Sequence, residues 1–289
     1  MVGQDGRIGR VGLAGQLTLD ISPLLVAELL ALGVVGGFLA GLLGVGGGMM
    51  IVPFITAIIS HRGVPASMAV KMAIATSMAT ILFTSLSSLR AHHRLGAVRW
   101  DLVRGMAPGI VVGGLLAGAG AFALLKGQGL ALCFAGFIGY SAVQMLRGRK
   151  PQPGRQMPGR GVQSAVGAGI GFVSGLLGAG GAFMSVPFMV WCNVPIRHAV
   201  GTSAAIGFPV AAAATAGYVV SGWNVSAALP GAFGYLYLPA LLIVSAASMT
   251  LAPLGARVAQ RMDTERLKRL FAVLLLGLAA YMLKQGLTA

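Results

Sequence analysis

The sequence predicts an all-α polytopic integral membrane protein: two inverted-topology repeats of about five hydrophobic segments each, with helices broken at glycine-rich motifs. Three observations carry this reading. Mean hydropathy is +0.86, with 56% hydrophobic and 9% charged residues, where soluble domains carry roughly 25% charged. One motif occurs twice: residues 37–54 read GFLAGLLGVGGGMMIVPF and residues 171–188 read GFVSGLLGAGGAFMSVPF, offset by 134 without a gap. The basic residues collect in a few short stretches between apolar runs, the pattern by which membrane proteins set their orientation.

The 27 charged residues (21 basic, 6 acidic) cannot clothe a water-exposed surface on a chain of 289 residues. The net charge of +15 does not imply a nucleic-acid partner, which needs a basic face on a soluble fold. Cys133 and Cys192 both fall in apolar segments and read as small buried hydrophobes, without metal-ligand spacing. Residues 1–20 lack a compact apolar core before a small-residue site, so no cleavable signal peptide is expected and the first span serves for insertion.

Ten hydrophobic segments follow in order: 22–44, 46–60, 68–90, 102–125 and 128–147, then 162–178, 180–192, 198–221, 235–257 and 266–287. Most approach the 20 or so apolar residues that cross a bilayer core. The linker GRKPQPGRQMPGRG at 148–161 is too rich in Pro, Gly and Arg to span and joins a first repeat, 1–147, to a second, 162–289. Segments 46–60 and 180–192 are short, and each carries an early proline, Pro53 and Pro187. Proline is tolerated there because first-turn amides lack intrahelical partners. The expected geometry is a helix that enters, breaks at 44–48 or 178–181, and turns back or restarts. Irregular backbone at membrane depth needs protein or a wet cavity around it, so both breaks should face the interior. For Gly37/Gly41 and Gly171/Gly175, close helix packing through small residues is an equal alternative.

Orientation follows from lysine and arginine. The loop 90–104, the linker with the preceding Arg147, and the loop 257–269, with Arg197, hold 15 of the 21 basic residues and belong on the cytoplasmic side. The uncharged loop 222–234 belongs outside. Five segments per half is an odd number, so the second half enters from the opposite side, giving repeats related by a two-fold axis in the membrane plane. The linker 148–161 is then cytoplasmic and both termini periplasmic, in a multi-pass protein of the cell inner membrane.

The candidate chemistry is neutral anion binding. A helix beginning in mid-membrane presents free amides and the positive end of its dipole. Gly46, Gly47, Gly48, Gly180 and Gly181 would supply backbone donors. A second echo, Ala73-Ile-Ala-Thr-Ser77 against Ala199-Val-Gly-Thr-Ser203, would add hydroxyls from Thr76, Ser77, Thr202 and Ser203, although such side chains also bond their own helix carbonyls. Ionisable residues inside spans are functional candidates by default. Lys71, Arg197 and His198 are candidates for a charge or proton role, although Lys71 and Arg197 can snorkel to the interface. Glu28 fits an interfacial position, and His92 and His93 fall in a basic, solvated loop. No enzyme signature is present: there is no H-E-x-x-H, no P-loop lysine and no G-x-S-x-G. Six acidic residues make a carboxylate metal cage unexpected, and no cofactor is implied.

The paired glycine-proline motifs, each followed by A-x-x-T-S, resemble the doubled signature of the TauE/SafE sulfite exporter family. The run Ala252-Pro253-Leu254-Gly255-Ala256-Arg257 resembles its C-terminal pattern, and the likeness spans residues 24 to 287. The resemblance implies an inner-membrane carrier of sulfur-containing anions such as sulfite, sulfoacetate or other organosulfonates. The first repeat departs by Ala75 where the second has Gly201, and by eight extra residues between its proline and its Thr-Ser pair. The expectation is therefore a secondary transporter exporting such anions by alternating access, with a small anionic substrate, a lipid bilayer and no nucleic acid as partners, and homo-oligomerisation left open. The alternatives are an anion channel or a non-transporting scaffold or assembly factor.

Overall fold

The computed structural model describes residues 22–43, 48–147, 156–226, 231–259 and 264–288. All ten expected segments are helical. They are α1 (Pro23–Leu43), α2 (Gly48–His61), α3 (Ala66–Arg94), α4 (Trp100–Leu124), α5 (Gly127–Arg147), α6 (Arg160–Leu177), α7 (Ala182–Trp191), α8 (Ile196–Ser221), α9 (Leu238–Ala259) and α10 (Thr264–Thr288). Five of them, α3, α4, α5, α8 and α9, are long and apolar enough to cross a membrane. A helical turn, Trp223–Ser226, and a two-residue antiparallel hairpin, Ala232–Phe233 with Leu236–Tyr237, precede α9.

The short helices explain the broken motif. At 1.5 Å per residue, α2 with 14 residues rises about 21 Å and α7 with 10 residues about 15 Å, both below the roughly 30 Å of a bilayer core. In the first half Glu28, early in α1, accepts from the Arg62 guanidinium in the turn after α2, at 2.9 Å. Deeper along the same helices, Gly36 faces Ile51. So α1 and α2 form an antiparallel hairpin with Gly48 at the inner end of α2. In the second half Met157, just before α6, packs against a buried cluster that contains Met189 of α7 and Val194 in the turn after it. At the tip, Gly181 lies against Ile170 and Ser174. That hairpin is built the same way.

Each hairpin passes into its long helix through a matching four-residue turn, 62–65 and 192–195, ending in Val-Pro. Gly63 (φ 86°) and Asn193 (φ 65°) hold the same left-handed position. The eight extra residues of the first half divide evenly: α2 is four residues longer than α7, and α3 begins four residues further ahead of its Thr-Ser pair than α8 does.

The long helices α3 and α8 run antiparallel. Arg197, at the start of α8, donates to the carbonyl of Leu95, the residue that ends α3, at 3.0 Å. Gly207 lies opposite Ser85. Around this pair the halves exchange partners: α1 packs on α9, and its repeat counterpart α6 packs on α4. Lipid offers no hydrophobic drive between helices, so close van der Waals approach through small residues carries such contacts. A Cβ on Gly37 would collide with the backbone of Ser248 on α9, and one on Gly171 with the backbone of Ile110 on α4. For these two motif glycines the packing alternative is the one observed. Ser248 adds a hydrogen bond across the same contact, to Gly33 O at 3.0 Å.

Two expectations are corrected. The basic loop 90–104 is mostly helix, since α3 continues to Arg94 and α4 starts at Trp100. His92 and His93 form the last turn of α3, where the Trp100 indole reaches the His93 ring at 3.3 Å. Cys133, expected to be buried, is exposed on the outward face of α5, whereas Cys192 is buried.

Gly171→Ala should lower stability by about 1–3 kcal/mol, because the added carbon meets backbone that cannot move aside. Gly169→Ala, with nothing within 4 Å of the added carbon, should be neutral or gain up to about 1 kcal/mol of helix propensity. Thermal unfolding of the two variants in one detergent compares them directly.

Candidate functional site

The second glycine break is fully described. Helix α6 ends at Leu177, Gly178 turns the chain in the left-handed region (φ 64°), and Gly181 (φ 73°) does so again before α7 begins. An L side chain is strained at both angles. The Gly181 carbonyl accepts from the amides of Met184 (3.1 Å) and Ser185 (2.9 Å), closing the first turn. The amides of Ala182 and Phe183 then have no acceptor within the helix. Pro187 brings no N–H, which also frees the Phe183 carbonyl four residues earlier. In the first half α2 starts at Gly48, the motif position that corresponds to Ala182. Gly46 and Gly47 lie outside the described residues.

The two breaks meet. A Cβ on Gly48 would collide with the Gly178 carbonyl, so the hairpin tips touch through bare backbone. Ser77 of α3 sits at the junction, fully buried. Its hydroxyl lies 3.4 Å from Gly48 O and 3.3 Å from Gly178 O, so one proton faces two carbonyls, one from each break. Beyond the tip, Gly180 O lies near Gly207 of α8.

The two Thr-Ser pairs do not join each other. Taking Ser85 opposite Gly207 as the crossing, Ser77 lies eight residues to one side and Ser203 four to the other, about 18 Å apart along the helices. Ser203 pairs with Ser185 of α7 at 2.8 Å, one turn past the second break. Both threonines are engaged by the opposite half. The Thr76 hydroxyl oxygen accepts from the Tyr237 amide at 2.9 Å, and that of Thr202 accepts from the Arg99 amide at 3.0 Å. Tyr237 ends the loop that precedes α9, and Arg99 ends the loop that precedes α4. The two bonds are therefore counterparts, each running from a motif threonine to the other repeat's loop.

The charged candidates lie away from the junction. Lys71 donates to Ala123 O in the last turn of α4 at 3.3 Å and stands 5.6 Å from the Phe122 ring centre and 5.4 Å from that of Tyr235. Arg197 serves the end of α3 in the same manner. Each cation answers carbonyls at a helix C-terminus, where positive charge is favoured. The Nδ1 of His198 is buried with no hydrogen-bond partner among the described residues.

Several of these residues escaped sequence reading. Ser185 has Ile51 as its repeat counterpart, so the repeat gives no hint of it. The Tyr237 and Arg99 contacts run through backbone amides, which carry no residue signature. The spacing Gly105-x3-Gly109-x3-Gly113 on α4, which lets α6 approach at Gln163, Ser164 and Ala168, was visible in the sequence as a small-residue packing motif.

The profile of the family described as sulfite exporter TauE/SafE matches residues 29–282. A probable membrane transporter protein of Haemophilus influenzae is 34% identical over 254 residues, covering 88% of this chain and 96% of the relative. One from Methanocaldococcus jannaschii is 24% identical over 271 residues, covering 90% and 96%. A further probable membrane transporter protein, YdhB of Bacillus subtilis, is 28% identical over 201 residues, covering 65% and 76%. No solved structure matches the chain.

Gly48→Ala should separate the hairpin tips and cost about 1–3 kcal/mol of stability by overpacking. Ser185→Ala, which leaves the buried Ser203 hydroxyl without its partner, should cost about 1 kcal/mol. Unfolding of purified protein followed by intrinsic fluorescence measures both.

Proposed function

Since the chain belongs to the sulfite exporter TauE/SafE family and is a multi-pass membrane transporter, we propose that it exports small sulfur-containing anions, such as sulfite, sulfoacetate or another organosulfonate, across the inner membrane by alternating access. The observation that carries this reading is the contact of the two helix breaks at Ser77. There the start of α2 meets the Gly178 carbonyl at the end of α6, and α7 starts four residues further on; the two helix starts would offer amides and dipole ends to an anion. The Ser77 hydroxyl can turn from a carbonyl to the solute. The amides around Gly46, Gly47 and Gly48, and those around Gly180 and Gly181, form the rest of the cradle. Without a fixed countercharge the anion is held weakly enough to leave.

The repeats are inverted across the bilayer in this reading. Antiparallel α3 and α8, the exchanged pairs α1 with α9 and α6 with α4, and the two opposed hairpins support it. The loop 95–99 and the turn 192–195 share one end, joined by Arg197, and Met157 at the close of the linker packs there too. Much of the basic sequence gathers at this end, which is therefore assigned to the cytoplasm. The turn 62–65 and the hairpin before α9 then face the periplasm.

Proteoliposomes carrying the purified protein should show saturable uptake of labelled sulfite or sulfoacetate that accelerates when unlabelled anion is loaded inside. Ser77→Ala should weaken apparent affinity roughly ten- to a hundredfold, the worth of one hydrogen bond to a charged group. Flux that neither saturates nor responds to the trans anion would mark a channel, and no flux for any of these anions would reject the reading.

A further inference from the structure

We infer that Thr76 and Thr202 are the latches of two gates, one at each end of the molecule, rather than ligands of the solute. The inference rests on the carrier reading but on different atoms. Each threonine oxygen holds the last amide of a loop that folds inward from its own end. The loop 231–237 packs deep: Tyr235, Leu236 and Tyr237 are nearly buried. A Cβ on Gly222 would lie 2.5 Å from the Tyr235 nitrogen, so the loop closes against the end of α8. Tyr235 also lies beside Lys71 and stacks edge-on with Phe122. The loop 95–99 is its counterpart at the other end. Ala97 is 1% exposed, and a Cβ on Gly201 would lie 2.6 Å from Ala97 O.

Each loop plugs the space between the two long helices. Each is bound at its last amide by a threonine of the helix from the opposite repeat, and the loop 95–99 is also held at its first residue, where Arg197 donates to Leu95 O. A rocking of one half against the other stretches one bond and spares its counterpart. The two latches therefore open in turn, and that is the requirement of alternating access. The burial of each loop holds it closed; the threonine bond at its inner end sets how often that end lifts.

The test uses the full chain in proteoliposomes, with Cys133→Ser and Cys192→Ala as background. One reporter is Tyr235→Cys and the other Ala97→Cys, each probed with a membrane-impermeant maleimide from either face. Thr76→Val should speed labelling of the first reporter roughly tenfold and leave the second unchanged, as expected for one lost buried hydrogen bond. Thr202→Val should do the reverse, from the opposite face. Thr→Ser at either position, which keeps the acceptor, should restore the slow rate and shows that a valine effect is not general unfolding. Acceleration at both reporters, at neither, or from a single face overturns the inference. The expected labelling in a protein that carries no anion flux upholds the latches and removes the carrier reading instead.

Discussion

The architecture depends on one contact between two pieces of bare backbone. Gly48 and the Gly178 carbonyl approach so closely that no side chain fits between them. Unpaired peptide groups are costly in a membrane, and residues 178–181 of the second tip are buried within the protein. Among the described residues, Ser77 is the side chain that hydrogen-bonds to both Gly48 O and Gly178 O. The surrounding helices serve to hold this junction: α3 and α8 cross beside it, and α2 and α7 lead into it. The apolar residues flanking the first tip, from Met49 to Val52, are buried almost completely.

Around the junction the molecule is tied together by exchange. Each hairpin's first helix lies on the fourth helix of the other half, and each Thr-Ser motif holds the other half's loop. Neither repeat satisfies its own small-residue faces, so the two halves share one core. Such interlocking fits a pair of units that move as bodies yet keep a fixed meeting point.

Much of this was legible in the sequence because it is periodic or repeated. Ten apolar runs became ten helices, and the glycine break was placed within a residue of where α6 ends and α7 begins. What the sequence could not convey is of two kinds. Contacts made through main-chain atoms, such as Tyr237 N to Thr76, depend on where a loop folds and leave no trace in residue identity. The Thr-Ser pairs read as one converging set of hydroxyls because they repeat. Antiparallel helices instead carry repeated positions away from each other, and only the register of α3 against α8 reveals it. Lys71 and Arg197 drew notice as charges in apolar runs. Their neighbours show that they answer helix ends, which needs the fold and not the sequence.

The unequal hairpins have an electrical consequence. The first reaches about 21 Å inward from its turn and the second about 15 Å, so with the two turns on opposite surfaces, as proposed, the junction lies nearer one surface than the other. A negative solute resting there in the proposed cycle has traversed more than half of the membrane field measured from one side and less than half from the other. The cell's resting voltage therefore biases the two half-journeys unequally. One added turn on each arm of the first hairpin suffices to create that asymmetry, without any charged residue at the site.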